Sequence, residues 1–238
     1  MNTLAKVVML FFLPFSLFAK DINVYLRFDD SKLYQEIKKF NNFLDSKGVF
    51  SRYQIEPFQD HHPSHITLYL ATYPEEHKEE IKMQVASFAK KKRPVQVIAR
   101  HLSVTAGNYV MLDLDMGKQE SGENHPVQRL SDEMVMRLTN LRDFNAKIPV
   151  WAESIPEKKK AFMNYGSPNV FFEFNPHFSL MAKNFDDPKE QARFQKEMTQ
   201  LVAEYDFPDV LTESSAIGIG YVNSFGQVTE EIASYPLG

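Results

Sequence analysis

The chain has 238 residues, 43% of them hydrophobic and 20 of them phenylalanine, so one domain or two small lobes with an aromatic-rich core is expected. Its formal net charge of −4, or −5 without residues 1–19, excludes the global electrostatic pull by which duplex nucleic acids are captured, and a phosphate ligand must be held by a local site. The absence of cysteine excludes disulfides, thiol catalysis, thiolate metal sites and a lipidated cysteine.

Lys6 followed by an apolar run over residues 7–18, then Ala19 and the charged Lys20 and Asp21, reads as an export signal cleaved after Ala19. The run is too short for a standard spanning helix. A buried first strand and a single membrane anchor are the competing readings. On the export reading, the mature chain over 20–238 is expected in the periplasm or outside the cell, without stable membrane insertion.

Residues 22–28 alternate apolar and polar side chains and predict a strand. Asp29, Asp30 and Ser31 supply helix-start signals, and Leu33, Ile37, Phe40 and Leu44 follow at helical spacing up to Gly48. A loop over 57–63 leads to a strand over 65–72, closed by Tyr73 and Pro74. Residues 75–92, acidic at the start and basic at the end, predict a helix. Strands over 95–104 and 108–116 form a hairpin across Thr105, Ala106 and Gly107. A helical pattern then runs over 126–144 through Leu130, Met134, Leu138 and Leu141. Residues 148–168 carry Trp151 and the basic run Lys158, Lys159 and Lys160, with no dominant period. A strand over 170–181 precedes a helix that starts at Asp186, Asp187 and Pro188 and runs to about residue 205. Strands over 215–222 and 227–232 form a last hairpin across 223–226. The order reads as two α+β lobes, the second half loosely repeating the first.

Two tetrapeptides stand out in this pattern. His65-Ile66-Thr67-Leu68 and His177-Phe178-Ser179-Leu180 each place a histidine two residues before a hydroxyl, inside a strand. Alternate strand residues share a face, so His65 lies beside Thr67 and His177 beside Ser179, while Ile66, Leu68, Phe178 and Leu180 point to the opposite side. Two imidazoles can act as acid and base on one phosphodiester, and two hydroxyls can donate to its non-bridging oxygens.

The paired motifs resemble those of the 2H phosphoesterase superfamily, which includes the 2′-5′ RNA ligase-like proteins and cyclic phosphodiesterases. Residues 217–221, Gly226, Pro236 and Leu237 are similar to the end of such a domain. The resemblance implies an α+β fold of two pseudo-symmetric lobes, each with an antiparallel sheet and flanking helices, and an active-site cleft between them. It implies catalytic roles for His65, Thr67, His177 and Ser179. The 112-residue interval between the histidines is long for this family, and an insertion over 144–168 accounts for it.

The function expected is metal-independent cleavage of a cyclic phosphate or 2′-5′ phosphodiester in a nucleotide or short RNA. No cofactor and no metal are expected, and the protein is expected to be a monomer with no duplex nucleic-acid partner. The alternative is an exported nucleotide- or phosphate-binding module with the same cleft and no turnover. An exported nuclease-like effector is a third reading. Tyr221 is a candidate to line the cleft and stack on a base, against a structural role. His61 and His62, together with His65, admit a metal reading, but no carboxylate or cysteine stands beside them at ligand spacing.

Overall fold

The computed structural model describes residues 19–117 and 124–238. Residues 1–18, which hold almost all of the expected leader, lie outside the described residues. The alternation on β1 (Ala19–Arg27) sets the layering: Ile22, Val24 and Leu26 bury one face, and Asn23, Tyr25 and Arg27 occupy the other. The strand includes Ala19, three residues before the expected start of regular structure.

Asp30 caps α1 (Ser31–Ser46), its carboxylate accepting from the backbone N–H of Lys32 at 2.7 Å and of Leu33 at 3.4 Å. Leu33, Ile37, Phe40 and Leu44 form the buried stripe of this helix. Removing a side chain such as Phe40 from water contributes about 2–3 kcal/mol. Gly48, in the left-handed region at φ 71°, turns the chain into α2 (Val49–Tyr53). The first histidine motif opens β2 (His65–Pro74), and the helix after it, α3 (Lys78–Ala89), buries Ile81, Val85 and Phe88.

β3 (Gln96–Val104) and β4 (Tyr109–Leu114) form the expected hairpin, whose left-handed residue is Asn108 at φ 61°. α4 (Pro126–Leu138) ends earlier than the periodicity predicts. Arg142 donates to the Thr139 carbonyl and hydroxyl, and the chain closes there in a single 3-10 turn over Thr139–Leu141. The segment over 144–168 folds into two short helices, α5 (Val150–Glu153) and α6 (Pro156–Tyr165).

The expected strand over 170–181 is shorter. Residues Phe171–Glu173 make a 3-10 turn, Phe171 has φ 54°, and Pro176 has no N–H to give to a ladder, so β5 spans only His177–Ala182. Asp187 caps α7 (Pro188–Glu204) through the Lys189 N–H at 2.9 Å. A four-residue strand, β6 (Val210–Glu213), follows where the sequence shows no pattern, and β7 (Ala216–Val222) and β8 (Val228–Pro236) complete the chain.

The strands form two antiparallel four-stranded sheets of order β2-β1-β7-β8 and β5-β4-β3-β6. Helices α3 and α4 pack on the first sheet, α1 and α7 on the second. The result is the expected two-lobed α+β fold, but the lobes are not successive halves: the first is completed by the last hairpin of the chain. Each histidine motif lies on an edge strand, and the two edges, β2 and β5, adjoin. Phe28 and Phe178 meet edge to face at 5.0 Å between the lobes.

Candidate active site

His65 begins β2 and His177 begins β5, and both imidazoles are held by the same device. His65 Nδ1 donates to the Pro63 carbonyl at 2.9 Å, and His177 Nδ1 donates to the Asn175 carbonyl at 2.7 Å. A carbonyl only accepts, so Nδ1 carries the proton in each ring and Nε2 is the nitrogen that can take up or release one. The repeat of the interaction at the same offset, two residues upstream, makes the two nitrogens equivalent parts of the two lobes.

Their surroundings differ. His65 is 7% exposed, and burial pushes its pKa from 6.5 down to about 4; the Pro63 carbonyl opposes that shift, while the nearby His177 and His62 reinforce it. His177 is half-buried, and burial lowers its pKa too, but the Asn175 carbonyl and the Asp113 carboxylate both work against the shift. The influence of His177 on His65 places the two motifs in one electrostatic neighbourhood. His65 and Ser179 also line one small cavity, together with His62, Phe178 and Gln227.

The hydroxyl partners are placed unequally. Thr67 Oγ1 accepts from Asn23 Nδ2 at 2.8 Å, which leaves the Thr67 O–H to donate elsewhere. Asn23 is fully buried and its Oδ1 has no partner among the described residues. Ser179 is half-buried, opposite Met111 on β4.

Further polar groups on this face are not apparent from the motifs alone. Tyr25 packs edge-on to His65 at 5.3 Å and donates to Glu231 Oε2 at 2.9 Å; burial and that carboxylate hold the phenol far above its ordinary pKa, so it remains an O–H donor. Arg27, opposite His65, binds Asp29 at 2.9 Å and Glu231 at 3.2 Å. Gly218 and Gly220 are needed beneath this row: a β-carbon at Gly218 would collide with the Tyr25 ring, and one at Gly220 with Val228. On the second sheet, cross-strand register aligns His177 with Asp113 and Asp113 with His101. The alternation of Asn23, Tyr25 and Arg27, and of Tyr109, Met111 and Asp113, is the sequence signal that marks these faces.

Tyr221 does not join the histidines. It lies in register with Ile22 on the helix-bearing side of the first sheet, where its O–H reaches the Glu75 carboxylate at 2.8 Å and Lys20 sits 4.3 Å above its ring. His61, His62 and His65 turn to three different partners: Glu56 at 3.2 Å, the Val228 carbonyl at 2.8 Å and the Pro63 carbonyl. No group of three or more histidines and carboxylates placed to hold a metal occurs among the described residues. A larger recess of about 650 Å³, bounded by Phe50, Phe225, Lys183 and Asn184, shares only Phe58 and His62 with the cavity at His65.

Neither a family model nor a curated protein matches the sequence. The fold does match solved structures. TT0787 of Thermus thermophilus superposes with a TM-score of 0.54 at 13% identity, over 91% of this chain and 97% of that one. Escherichia coli LigT complexed with 3′-AMP gives 0.52 at 9% identity, over 92% and 99%. Kluyveromyces marxianus Usb1 gives 0.52 at 15% identity, over 94% and 100%. At these identities the likeness is one of fold, and it extends over more than nine-tenths of the chain.

Proposed function

We propose that the protein is a phosphodiesterase that opens a cyclic phosphate, or cleaves a 2′-5′ linkage, in a nucleotide or short single-stranded RNA, using His65 and His177 as an acid–base pair. The observation that carries this reading is the doubled device on adjoining edge strands: an imidazole with its Nδ1–H fixed to the carbonyl two residues upstream, and a hydroxyl two residues downstream. A pair of poised Nε2 atoms serves proton transfer on both sides of a phosphorus atom. A module that only binds phosphate gains nothing from two titrating groups.

In hydrolysis of a cyclic phosphate, one imidazole takes a proton from water as the water oxygen bonds to phosphorus. The other gives its proton to the ribose oxygen as the phosphorus–oxygen bond breaks. Thr67 and Ser179 donate to the non-bridging oxygens, where each preorganised donor stabilises the transition state by about 2–4 kcal/mol. The presence of 3′-AMP in the structure of the E. coli protein of this fold supports a nucleotide as the ligand class. The apolar run over 7–18 supports action outside the cytoplasm.

The test is a screen of nucleoside 2′,3′-cyclic phosphates and short 2′-5′- and 3′-5′-linked oligonucleotides in EDTA, with wild type beside the His65→Ala/His177→Ala double variant. Turnover by the wild type alone is expected. Equal turnover by both proteins overturns the assignment, and activity lost in EDTA and restored by zinc moves the chemistry to a metal. N-terminal sequencing of the native protein tests cleavage after Ala19; an intact Met1 in a soluble cytoplasmic pool overturns it.

A further inference from the structure

We infer that Asp113 is a positioning residue that keeps a proton on His177, making His177 the general acid and leaving His65 as the general base. This rests on the two-histidine reading above and adds a direction to it.

Three observations carry the inference. First, Asp113 on β4 is the direct cross-strand partner of His177 on β5, so the two side chains project from the same face. Directly opposed residues in an antiparallel pair bring their β-carbons to within about 5.5 Å. Second, Asp113 Oδ1 is buried with no hydrogen-bond partner among the described residues. A buried carboxylate oxygen left without a donor makes the potential around it more negative, and a positive charge across the strand pair relieves this. Protonated His177 supplies that charge through space: its Nδ1–H stays on the Asn175 carbonyl, and the Nε2–H it gains stays available to the substrate. Third, the corresponding position of the other lobe, opposite His65, holds Arg27, which is already committed to Asp29 and Glu231. The pseudo-symmetry therefore stops at these two residues: the direct cross-strand partner of His177 is a carboxylate and that of His65 is a guanidinium.

Other charged groups near the pair do not duplicate this role. His101 on β3 lies beyond Asp113 in the register. Arg100 on β3 is held by Asp115 at 2.9 Å and Asp209 at 2.7 Å. From β2 the neighbour is His65 itself, buried and pushed toward its neutral form. Lys158, in the segment before β5, is bound to Glu173 at 3.2 Å. Asp113 is the charged side chain whose field on His177 is appreciable.

The reaction then runs one way through the site. A proton passes from water to His65 Nε2 as the water oxygen bonds to phosphorus, and a proton passes from His177 Nε2 to the departing ribose oxygen. Solvent exchange restores the starting protonation state.

The experiment has two readouts: kcat/KM against pH on a nucleoside 2′,3′-cyclic phosphate, and the NMR titration midpoint of the His177 ring, for wild type, Asp113→Asn and Asp113→Glu. Asparagine keeps the shape and removes the charge. Its descending limb and its His177 midpoint should both move acidward by about one pH unit, which is about a tenfold loss of kcat/KM at pH 7. Glutamate should recover most of both. A fall in kcat with an unmoved limb and midpoint would show a merely structural role and overturn the inference. Absence of turnover in all three proteins would defeat the phosphodiesterase reading instead; the midpoint would then still decide whether Asp113 holds the His177 proton.

Discussion

The two lobes build the same histidine device and then surround it differently. On the first sheet, His65 is sealed beneath Tyr25 and has Arg27 across the strand; on the second, His177 is half-buried and has Asp113 across the strand. The backbone device is common to both, so it fixes which nitrogen is presented. The cross-strand neighbour differs, and it biases whether that nitrogen carries a proton. Repetition of a scaffold thus supplies two equivalent groups, and one substitution on an adjacent strand is enough to give them different work.

The hardest way to break the comparison is to remove either imidazole. His65→Ala and His177→Ala should each lower kcat by about 10²–10⁴-fold while circular dichroism shows an intact fold. If one variant keeps full activity, the lobes do not share a reaction. The difference in burial should also be visible in stability. The folded pKa of His65 lies near 4 and the ordinary value is 6.5. Between those values the unfolded chain takes up a proton that the folded protein refuses, so this group costs stability progressively as pH falls from 6.5 to 4. The loss approaches about 3 kcal/mol. Urea unfolding at pH 7 and pH 4 should show that increment in wild type and not in His65→Gln, relative to their common acid loss. An equal increment in both proteins would mean that His65 titrates normally.

A smaller effect is expected at Gly218→Ala, because the added methyl meets the Tyr25 ring. Overpacking of this kind costs about 1–3 kcal/mol, to be read as a lower urea midpoint. An unchanged midpoint would mean that Tyr25 moves freely, and would remove it from the account of how His65 is sealed. The finest test compares the hydroxyls. Thr67 is steadied by Asn23, whereas the half-buried Ser179 hydroxyl has no such partner among the described residues. Thr67→Val should therefore lower kcat more than Ser179→Ala, by about threefold to tenfold, since a preorganised donor is worth more than one that water can replace. The reverse order would place the phosphate nearer the second lobe.

Much of this was legible in the chain. Period-two alternation marks His65 with Thr67 and His177 with Ser179, and helical spacing marks α1 and α7 to within a turn, while α4 stops at Leu138, short of the expected 144. What sequence periodicity does not contain is strand pairing. Asp113 is an ordinary polar residue at the end of an alternating run until register brings it opposite His177, and Tyr25 acquires meaning only over Gly218 and Gly220, nearly two hundred residues away. β6 is too short to show a period, and its identity comes from pairing with β3. The late start of β5 follows from Pro176, a local signal outweighed by the aromatic and aliphatic run around it. Tyr221 shows the converse error: it is a plausible base platform by type, yet it sits one residue out of phase with the glycine row.

The edge position of β2 has a consequence for the behaviour of the protein in concentrated solution. A sheet edge offers unpaired backbone groups to any other chain that can lie alongside it. Here the Leu68 carbonyl accepts the Ser131 hydroxyl at 2.6 Å, and the Thr72 carbonyl accepts the Asp143 N–H at 2.8 Å. Leu68 is also the extra residue of a bulge, between the pairs Val24 with Tyr69 and Tyr25 with Thr67. The strand that presents His65 is therefore blocked against adding a strand from a neighbour, and the molecule can keep this histidine on a margin of its sheet without offering that margin as a seed for polymerisation.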